Sequence, residues 1–130
     1  MTIRLLITDD HKVVRQGLRM VLELYPDLEV VGEASNGEEA LRMARRLEPD
    51  VVLMDLLMPV MGGIEATGEI RRELPNTEVV ALTSVLEDAS VVAAVRAGAI
   101  GYLLTDTDAD ELRRAIKVAA GQVQLSPKVA

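Results

Sequence analysis

The segment PDVVLMDLLMP, residues 49–59, contains four consecutive apolar residues, 51–54, and an aspartate, Asp55, directly after them. An apolar run without polar alternation predicts a strand buried on both faces, as in a parallel sheet covered by helices. A lone carboxylate is costly to bury. We therefore expect Asp55 at the exposed end of this strand, where a metal ion, a hydrogen-bond donor or a reaction can use it.

Length and composition limit the classes of protein to which this sequence can belong. The 130 residues suffice for one domain that buries roughly two thirds of the surface of its unfolded chain. Without cysteine there is no disulfide framework and no thiolate metal site. The N-terminal MTIRLLITDD lacks the apolar run of a signal peptide, and no stretch approaches the ~20 apolar residues of a membrane span. We expect a cytoplasmic protein with no membrane partner.

The charge argues against nucleic-acid binding by these residues. The formal net charge is −7, whereas phosphate binding requires clustered Lys and Arg. Aromatic residues are limited to Tyr25 and Tyr102, so the chain offers no stacking platform for single strands. Direct contact with DNA or RNA is therefore not expected.

Five apolar segments, each followed by a helical pattern, succeed one another along the chain. The predicted strands are residues 3–8, 28–34, 51–54, 78–83 and 100–104. The apolar face of the first helix is predicted to carry Val14, Gly17, Leu18, Val21 and Leu22. Five strand-helix units predict an α/β fold with a parallel sheet, right-handed crossovers and helices on both faces.

Polar residues follow the predicted strands at one edge of this sheet. They are Asp9 and Asp10, Asp55, Thr83 and Ser84, and Thr105 and Asp106. Ligands of open α/β sheets bind outside the carboxyl ends of the strands. A single aspartate in such a position is commonly a turn or helix cap, but several at one edge favour a common site.

Three carboxylates at one site require a counter-charge or a proton. Two like charges about 4 Å apart cost on the order of 4 kcal/mol at an effective dielectric constant near 20. A hard divalent cation relieves this repulsion, and few protein oxygens plus water suit Mg²⁺. Mg²⁺ beside a carboxylate points to phosphoryl chemistry, in which the carboxylate itself can be the nucleophile. His11, the only histidine, is interpreted as a loop or helix-start residue.

Four segments resemble the receiver domain of bacterial two-component response regulators: ITDDH (7–11), VVLMDLLMP (51–59), ALTS (81–84) and AGAIGYLL (97–104). Two further segments, YPDLEVVGEASNGEEAL and GQVQLSP, resemble the NarL/FixJ subfamily in particular. The resemblance implies a flavodoxin-like, doubly wound sheet of strand order 2-1-3-4-5 with five helices. It implies a receiver domain over 1–121, and a tail or linker over 122–130 leading to a DNA-binding helix-turn-helix domain absent from this sequence.

The resemblance also implies roles for individual residues. Asp55 is the phosphoacceptor, and Mg²⁺ is held by Asp9, Asp10, Asp55 and the backbone carbonyl of Leu57. Thr83 contacts the phosphoryl group, Tyr102 is the switch aromatic, and the loop beside the acceptor contains Met58, Pro59, Gly62 and Gly63. Thr105 stands where the family has a lysine. The phosphorylated state would then lose a charge-assisted contact worth roughly 1.5–3 kcal/mol.

Three functions follow from these observations. The first is a phosphorylation-dependent switch that takes its phosphoryl group from a sensor histidine kinase, forms a homodimer and controls transcription through the absent DNA-binding domain. The dimer face is either helix 4, strand 5 and helix 5, or helices 1 and 5. The second is a phosphorylation-independent interaction module, favoured by Thr105. The third, a Mg²⁺-dependent phosphatase, is weakest because no acid lies two residues beyond Asp55; we expect no conventional enzyme.

Overall fold

The computed structural model describes residues 2–58, 60–83 and 88–121. The ten elements, in chain order, are β1 Ile3–Thr8, α1 Lys12–Leu22, β2 Leu28–Ala34, α2 Gly37–Leu47, β3 Val51–Asp55, α3 Gly63–Glu73, β4 Glu78–Thr83, α4 Asp88–Ala97, β5 Gly101–Leu104 and α5 Ala109–Ala119. The predicted strands and helices are therefore present. The bounds differ mainly at Asp55, which belongs to β3, and at residue 100, which precedes β5.

The five strands form one parallel sheet in the order β2-β1-β3-β4-β5. This is the predicted flavodoxin-like order, with β1 and β3 as central neighbours. Each strand connects to the next through a helix, because parallel strands require a long crossover.

The two faces of β3 are both covered. Val51 and Leu53 pack in a core with residues of α1 and α5, whereas Val52 and Met54 pack in a second core with residues of α2 and α3. All four side chains are fully buried. This confirms that an apolar run without alternation is the central strand of a doubly covered sheet.

Helix ends follow local signals in the sequence. The Asn36 side chain accepts a hydrogen bond from the Glu39 N–H at 2.8 Å and caps α2, and the Asp108 side chain caps α5 in the same way. Gly98 has a φ of 119°, as expected of the residue after α4. In α1, however, only Leu22 is fully buried, and the predicted apolar positions Val14 and Gly17 are exposed.

The register positions the candidate site. Thr8 of β1 pairs with Met54 of β3, so the residues that follow them, Asp9 and Asp55, lie side by side at the carboxyl edge. None of the helices in the described part of the chain has the length and apolar character that a membrane crossing requires.

Candidate functional site

Three carboxylates and one imidazole converge at the carboxyl edge of β1 and β3. One ligand atom from each of Asp9, Asp10, His11 and Asp55 lies within 4.8 Å of the others. Asp9 and Asp10 follow β1, and Asp55 ends β3. The convergence expected from neighbouring strands is therefore present, and we call these four residues the acidic cluster.

Asp55 is buried rather than placed at an exposed strand end. It is 9% exposed, and Asp9 is 5% exposed. The expectation of an exposed aspartate was wrong because β3 continues through Asp55, which pairs in register with Leu82 of β4, and the Leu56 N–H still donates to the Leu82 carbonyl at 3.1 Å. The carboxylate is thus held inside the cluster by the strand itself.

Burial and neighbouring charge change the acidity of Asp55. Burial, and after it the negative charges of Asp9 and Asp10, raise the pKa of Asp55 to about 6, although a 3.2 Å hydrogen bond from the Leu57 N–H acts in the opposite direction. The carboxyl group is therefore mostly ionised at neutral pH, but less readily than an exposed aspartate.

His11 closes the cluster on its solvent side. Its backbone N–H donates to Asp9 Oδ1 at 2.8 Å, and its Nδ1 lies 3.1 Å from Asp9 Oδ1 and 3.0 Å from Asp10 Oδ1. The hydrogen bond with Asp9 and the charge of Asp10 raise the pKa of His11. His11 is the N-cap residue of α1, as predicted, but its ring also contacts two of the carboxylates.

The acidic cluster has the chemistry of a divalent-cation site. Asp10 Oδ1 is buried and accepts no hydrogen bond from the described residues, although His11 Nδ1 lies near it. A buried carboxylate oxygen without a donor, next to two further carboxylates, fits a hard cation such as Mg²⁺. The cluster therefore agrees with the Mg²⁺ site that the resemblance to receiver domains implies.

The other predicted site residues lie outside the acidic cluster. Thr83 ends β4 and is 2% exposed, and Thr105 is exposed just after β5. Tyr102 of β5 is 44% exposed and lines a groove between β5 and α5. Leu57 and Met58 lie two and three residues after Asp55, and Leu57 is exposed. Pro59, Ser84 and the tail 122–130 lie outside the described residues.

Two glycines let the loops around Asp55 approach one another. A Cβ on Gly63 would collide with the Asp55 carbonyl oxygen and the Leu56 Cα, and a Cβ on Gly37 would collide with the Met61 carbonyl oxygen. The Gly37 N–H donates to that carbonyl at 2.9 Å. The starts of α2 and α3 therefore pack against the end of β3 and the loop that follows Asp55.

The sequence matches the family model of the response regulator receiver domain over residues 5–117. The chain belongs to this family. The transcriptional regulatory protein LiaR of Bacillus subtilis (strain 168) is 50% identical over 98% of this chain and 61% of its own length. The response regulator protein VraR of Staphylococcus aureus (strain NCTC 8325 / PS 47) is 44% identical over 99% of this chain and 62% of its own length.

The fold comparison agrees with the sequence comparison. The solved receiver domain of the response regulator NarL from Mycobacterium tuberculosis superimposes with a TM-score of 0.88 at 35% identity, over 94% of this chain and 98% of that structure. The predicted family and its NarL-like character are confirmed. This receiver domain spans about three fifths of the length of the curated relatives LiaR and VraR.

Family membership defines the broad function. The chain is the receiver domain of a two-component response regulator and not a conventional enzyme, as predicted, and its acidic cluster is consistent with a phosphoacceptor site.

Proposed function

We propose that this receiver domain is a phosphorylation-dependent switch in which Asp55 accepts a phosphoryl group from a phosphohistidine of a sensor histidine kinase. The observation that carries the proposal is the convergence of three carboxylates around the buried end of β3. Mutual repulsion between neighbouring carboxylates destabilises the fold. Their presence together at one edge of the sheet therefore favours a role in a reaction or in ligand binding.

The transfer is a substitution at phosphorus. An oxygen of the Asp55 carboxylate attacks the phosphorus atom, the bond from phosphorus to the kinase imidazole breaks, and the imidazole nitrogen leaves with the bonding electron pair. The product is an acyl phosphate on Asp55. Because the pKa of Asp55 is about 6, the carboxylate is ionised and nucleophilic at neutral pH.

The residues proposed to hold Mg²⁺ are Asp9, Asp10, Asp55 and the backbone carbonyl of Leu57. The unsatisfied Asp10 Oδ1 and the oxygen-rich donor set support this assignment. When bound, the cation offsets negative charge on the carboxylates and on the transferring phosphoryl oxygens. Leu57 stays close to Asp55, since its N–H donates to Asp55 Oδ1.

Thr83 and Tyr102 are proposed to change their contacts or position when Asp55 is phosphorylated. Thr83 would donate a hydrogen bond to a phosphoryl oxygen; its burial at the end of β4, the strand next to β3, supports this role. Tyr102 is 44% exposed, and we propose that its ring turns inward when Asp55 is phosphorylated. Phosphorylation would then shift a pre-existing equilibrium between two states.

Thr105 favours a second candidate function, a receiver that binds partners without phosphorylation. A threonine supplies one hydrogen bond and no charge, so the phosphorylated state loses a charge-assisted contact relative to a lysine. Lys12 is less suited to replace it, because Lys12 begins α1 after β1, whereas Thr105 follows β5.

The proposed output is homodimerisation, through either α4, β5 and α5 or α1 and α5. We assign residues 1–121 to the receiver and 122–130 to a tail or linker leading to a DNA-binding domain. A net charge of −7 supports contact with DNA through that further domain and not through this one. A cytoplasmic location accords with the lack of cysteine.

The proposal is tested with a small-molecule phosphodonor and Mg²⁺, followed by intact mass spectrometry. The parent domain should gain one phosphoryl group, and Asp55→Asn should gain none. Asp106→Asn is the matched control, because Asp106 is exposed after β5 and lies outside the acidic cluster. No adduct on the parent would favour the interaction module, and turnover of the phosphodonor without an adduct would favour an enzyme.

A further inference from the structure

Arg15 of α1 contacts the backbone of the acidic cluster. Its side chain is 14% exposed, and its Nη1 donates a 2.7 Å hydrogen bond to the Asp9 carbonyl oxygen. Its Nε donates to Glu33 Oε1 of β2 at 3.2 Å. The guanidinium group therefore bridges β2 and the turn that carries the carboxylates of Asp9 and Asp10.

The contacted carbonyl belongs to the peptide group that joins Asp9 to Asp10. Because a peptide group is planar, fixing its oxygen fixes the direction in which the chain leaves Asp9 and enters Asp10. On the other side of the residue, the Asp9 N–H donates to the Ala34 carbonyl at 3.1 Å. The backbone of Asp9 is thus held at its N–H by β2 and at its carbonyl by Arg15.

Arg15 shares its carboxylate partner with Arg19. Glu33 pairs with Arg15 through Oε1 and with Arg19 through Oε2 at 3.0 Å. Because Arg15 contacts the Asp9 carbonyl oxygen and the Glu33 carboxylate, it does not take the place of the proposed cation between the carboxylates of the acidic cluster. Its effect on the cluster is mainly geometric.

We propose that Arg15 is a positioning residue for the cation site, acting through the Asp9 carbonyl. The inference rests on the proposed function, because it concerns the affinity of the acidic cluster for Mg²⁺. Hydrogen bonds that orient metal ligands from outside the coordination shell are typically worth about 10- to 100-fold in metal affinity or activity. Loss of Arg15 is therefore expected to weaken Mg²⁺ binding by about tenfold.

The test compares Arg15→Gln with Arg19→Gln. Both substitutions remove one positive charge and one partner of Glu33 from the same helix, but only Arg15 contacts Asp9. Mg²⁺ is titrated into each variant, with binding followed by the backbone amide NMR signals of Asp10 and His11. Phosphorylation by a small phosphodonor gives the half-saturating Mg²⁺ concentration and the rate at saturating Mg²⁺.

We expect Arg15→Gln to raise the Mg²⁺ dissociation constant and the half-saturating concentration about tenfold. The rate at saturating Mg²⁺ should change less than about twofold, and Arg19→Gln should match the parent in all three quantities. Equal effects of the two substitutions would overturn the positioning role, even with the parent binding Mg²⁺ normally. A parent that binds no Mg²⁺ would instead overturn the proposed cation site and this inference with it.

Arg15→Lys keeps the test decisive if Arg15→Gln does not fold, as judged by urea unfolding. A single ammonium group keeps the charge but cannot reproduce the planar fork that reaches both Asp9 and Glu33. It should raise the Mg²⁺ dissociation constant in the same direction by a smaller factor, about threefold. An unchanged dissociation constant in Arg15→Lys would then overturn the inference.

Discussion

The backbone N–H of Thr105 donates a 3.0 Å hydrogen bond to the carbonyl oxygen of Thr83. Position 105 is therefore held beside the end of β4, next to the strand that carries Asp55. A lysine here would add a charge-assisted contact to a phosphoryl group, worth roughly 1.5–3 kcal/mol. We expect Thr105→Lys to favour the phosphorylated, dimer-competent state at least tenfold, measured as the phosphorylation rate and the dimer dissociation constant with phosphodonor present.

Thr107→Lys is the matched control for this prediction. It adds the same side chain two residues later, in the turn where the Thr107 N–H donates to the Leu104 carbonyl. It should leave both quantities near those of the parent. If Thr105→Lys changes neither the rate nor the dimerisation, Thr105 does not weaken the switch.

In the absence of Mg²⁺, ionisation of Asp55 should make the free energy of unfolding depend on pH. Its pKa is about 6 in the fold and 3.8 in the unfolded chain, chiefly because of burial. Below pH 3.8 Asp55 is protonated in both the folded and the unfolded state, so its ionisation does not affect stability. Between pH 3.8 and 6 the carboxyl group ionises in the unfolded chain but stays protonated in the fold, which lowers the free energy of unfolding as the pH rises. Asp55→Asn should therefore raise the free energy of unfolding by about 3 kcal/mol at pH 7.5 and by only about 0.5 kcal/mol at pH 4.

Urea unfolding at the two pH values measures this effect, and the ¹³C signal of the Asp55 carboxyl group measures its pKa directly. Asp106→Asn removes an exposed carboxylate and should change the free energy of unfolding at neither pH. A gain of equal size at pH 4 and pH 7.5 would show that ionisation of Asp55 is not the cause.

Gly63 and Gly62 form a matched pair at the start of α3, close to the end of β3. A Cβ on Gly63 would collide with the backbone of Asp55 and Leu56, whereas a Cβ on Gly62 meets no atom of the described residues within 4 Å. Gly63→Ala should lower the free energy of unfolding by about 1–3 kcal/mol, as overpacking does. Gly62→Ala should stay within about 0.5 kcal/mol of the parent. Similar urea midpoints for both variants would contradict the close approach.

Ion pairs of Asp27 connect the loop that follows α1 with helix α5. Arg113 Nη2 lies 2.7 Å and Lys117 Nζ 3.0 Å from Asp27 Oδ2. The hydrogen bonds from Arg113 and then from Lys117 lower the pKa of Asp27 to about 2. Stability from this group is therefore present above the unfolded pKa of 3.8 and is lost as the pH falls through 2.

Asp27→Asn should accordingly lower the urea midpoint at pH 7, and its difference from the parent should shrink steadily between pH 4 and pH 2. Glu29→Gln, which removes an exposed carboxylate on the neighbouring strand β2, serves as the control. A pH-independent effect of Asp27→Asn would indicate lost packing and not lost ion pairing.

The sequence predicted most of the fold and the three carboxylates of the acidic cluster, but not how deeply these carboxylates are buried. The apolar run 51–54 has only one stable environment, a central strand between two helical layers. Burial of Asp55 depends instead on pairing with Leu82 of β4, 27 residues further along the chain. The spacing of apolar residues in the sequence cannot show at which residue the pairing of two strands ends.

Two contributions to the site were missed because they depend on side-chain direction. His11 was interpreted as a helix-start residue, and its ring also contacts Asp9 and Asp10. Arg15 had no distinguishing pattern around it, yet it contacts the Asp9 carbonyl. The exposure of Val14 and Gly17 likewise shows that the buried face of α1 is narrower than its apolar pattern.

By itself, the sequence determined the α/β class, the succession of strands and helices and the residues that end each strand, because these follow from local periodicity and from turn and cap residues. Only the tertiary structure decided that Asp55 is buried with a pKa of about 6, that His11 joins the carboxylates, and that Arg15 holds their backbone. Desolvation and directional hydrogen bonds depend on neighbours distant in the chain, which no local pattern specifies.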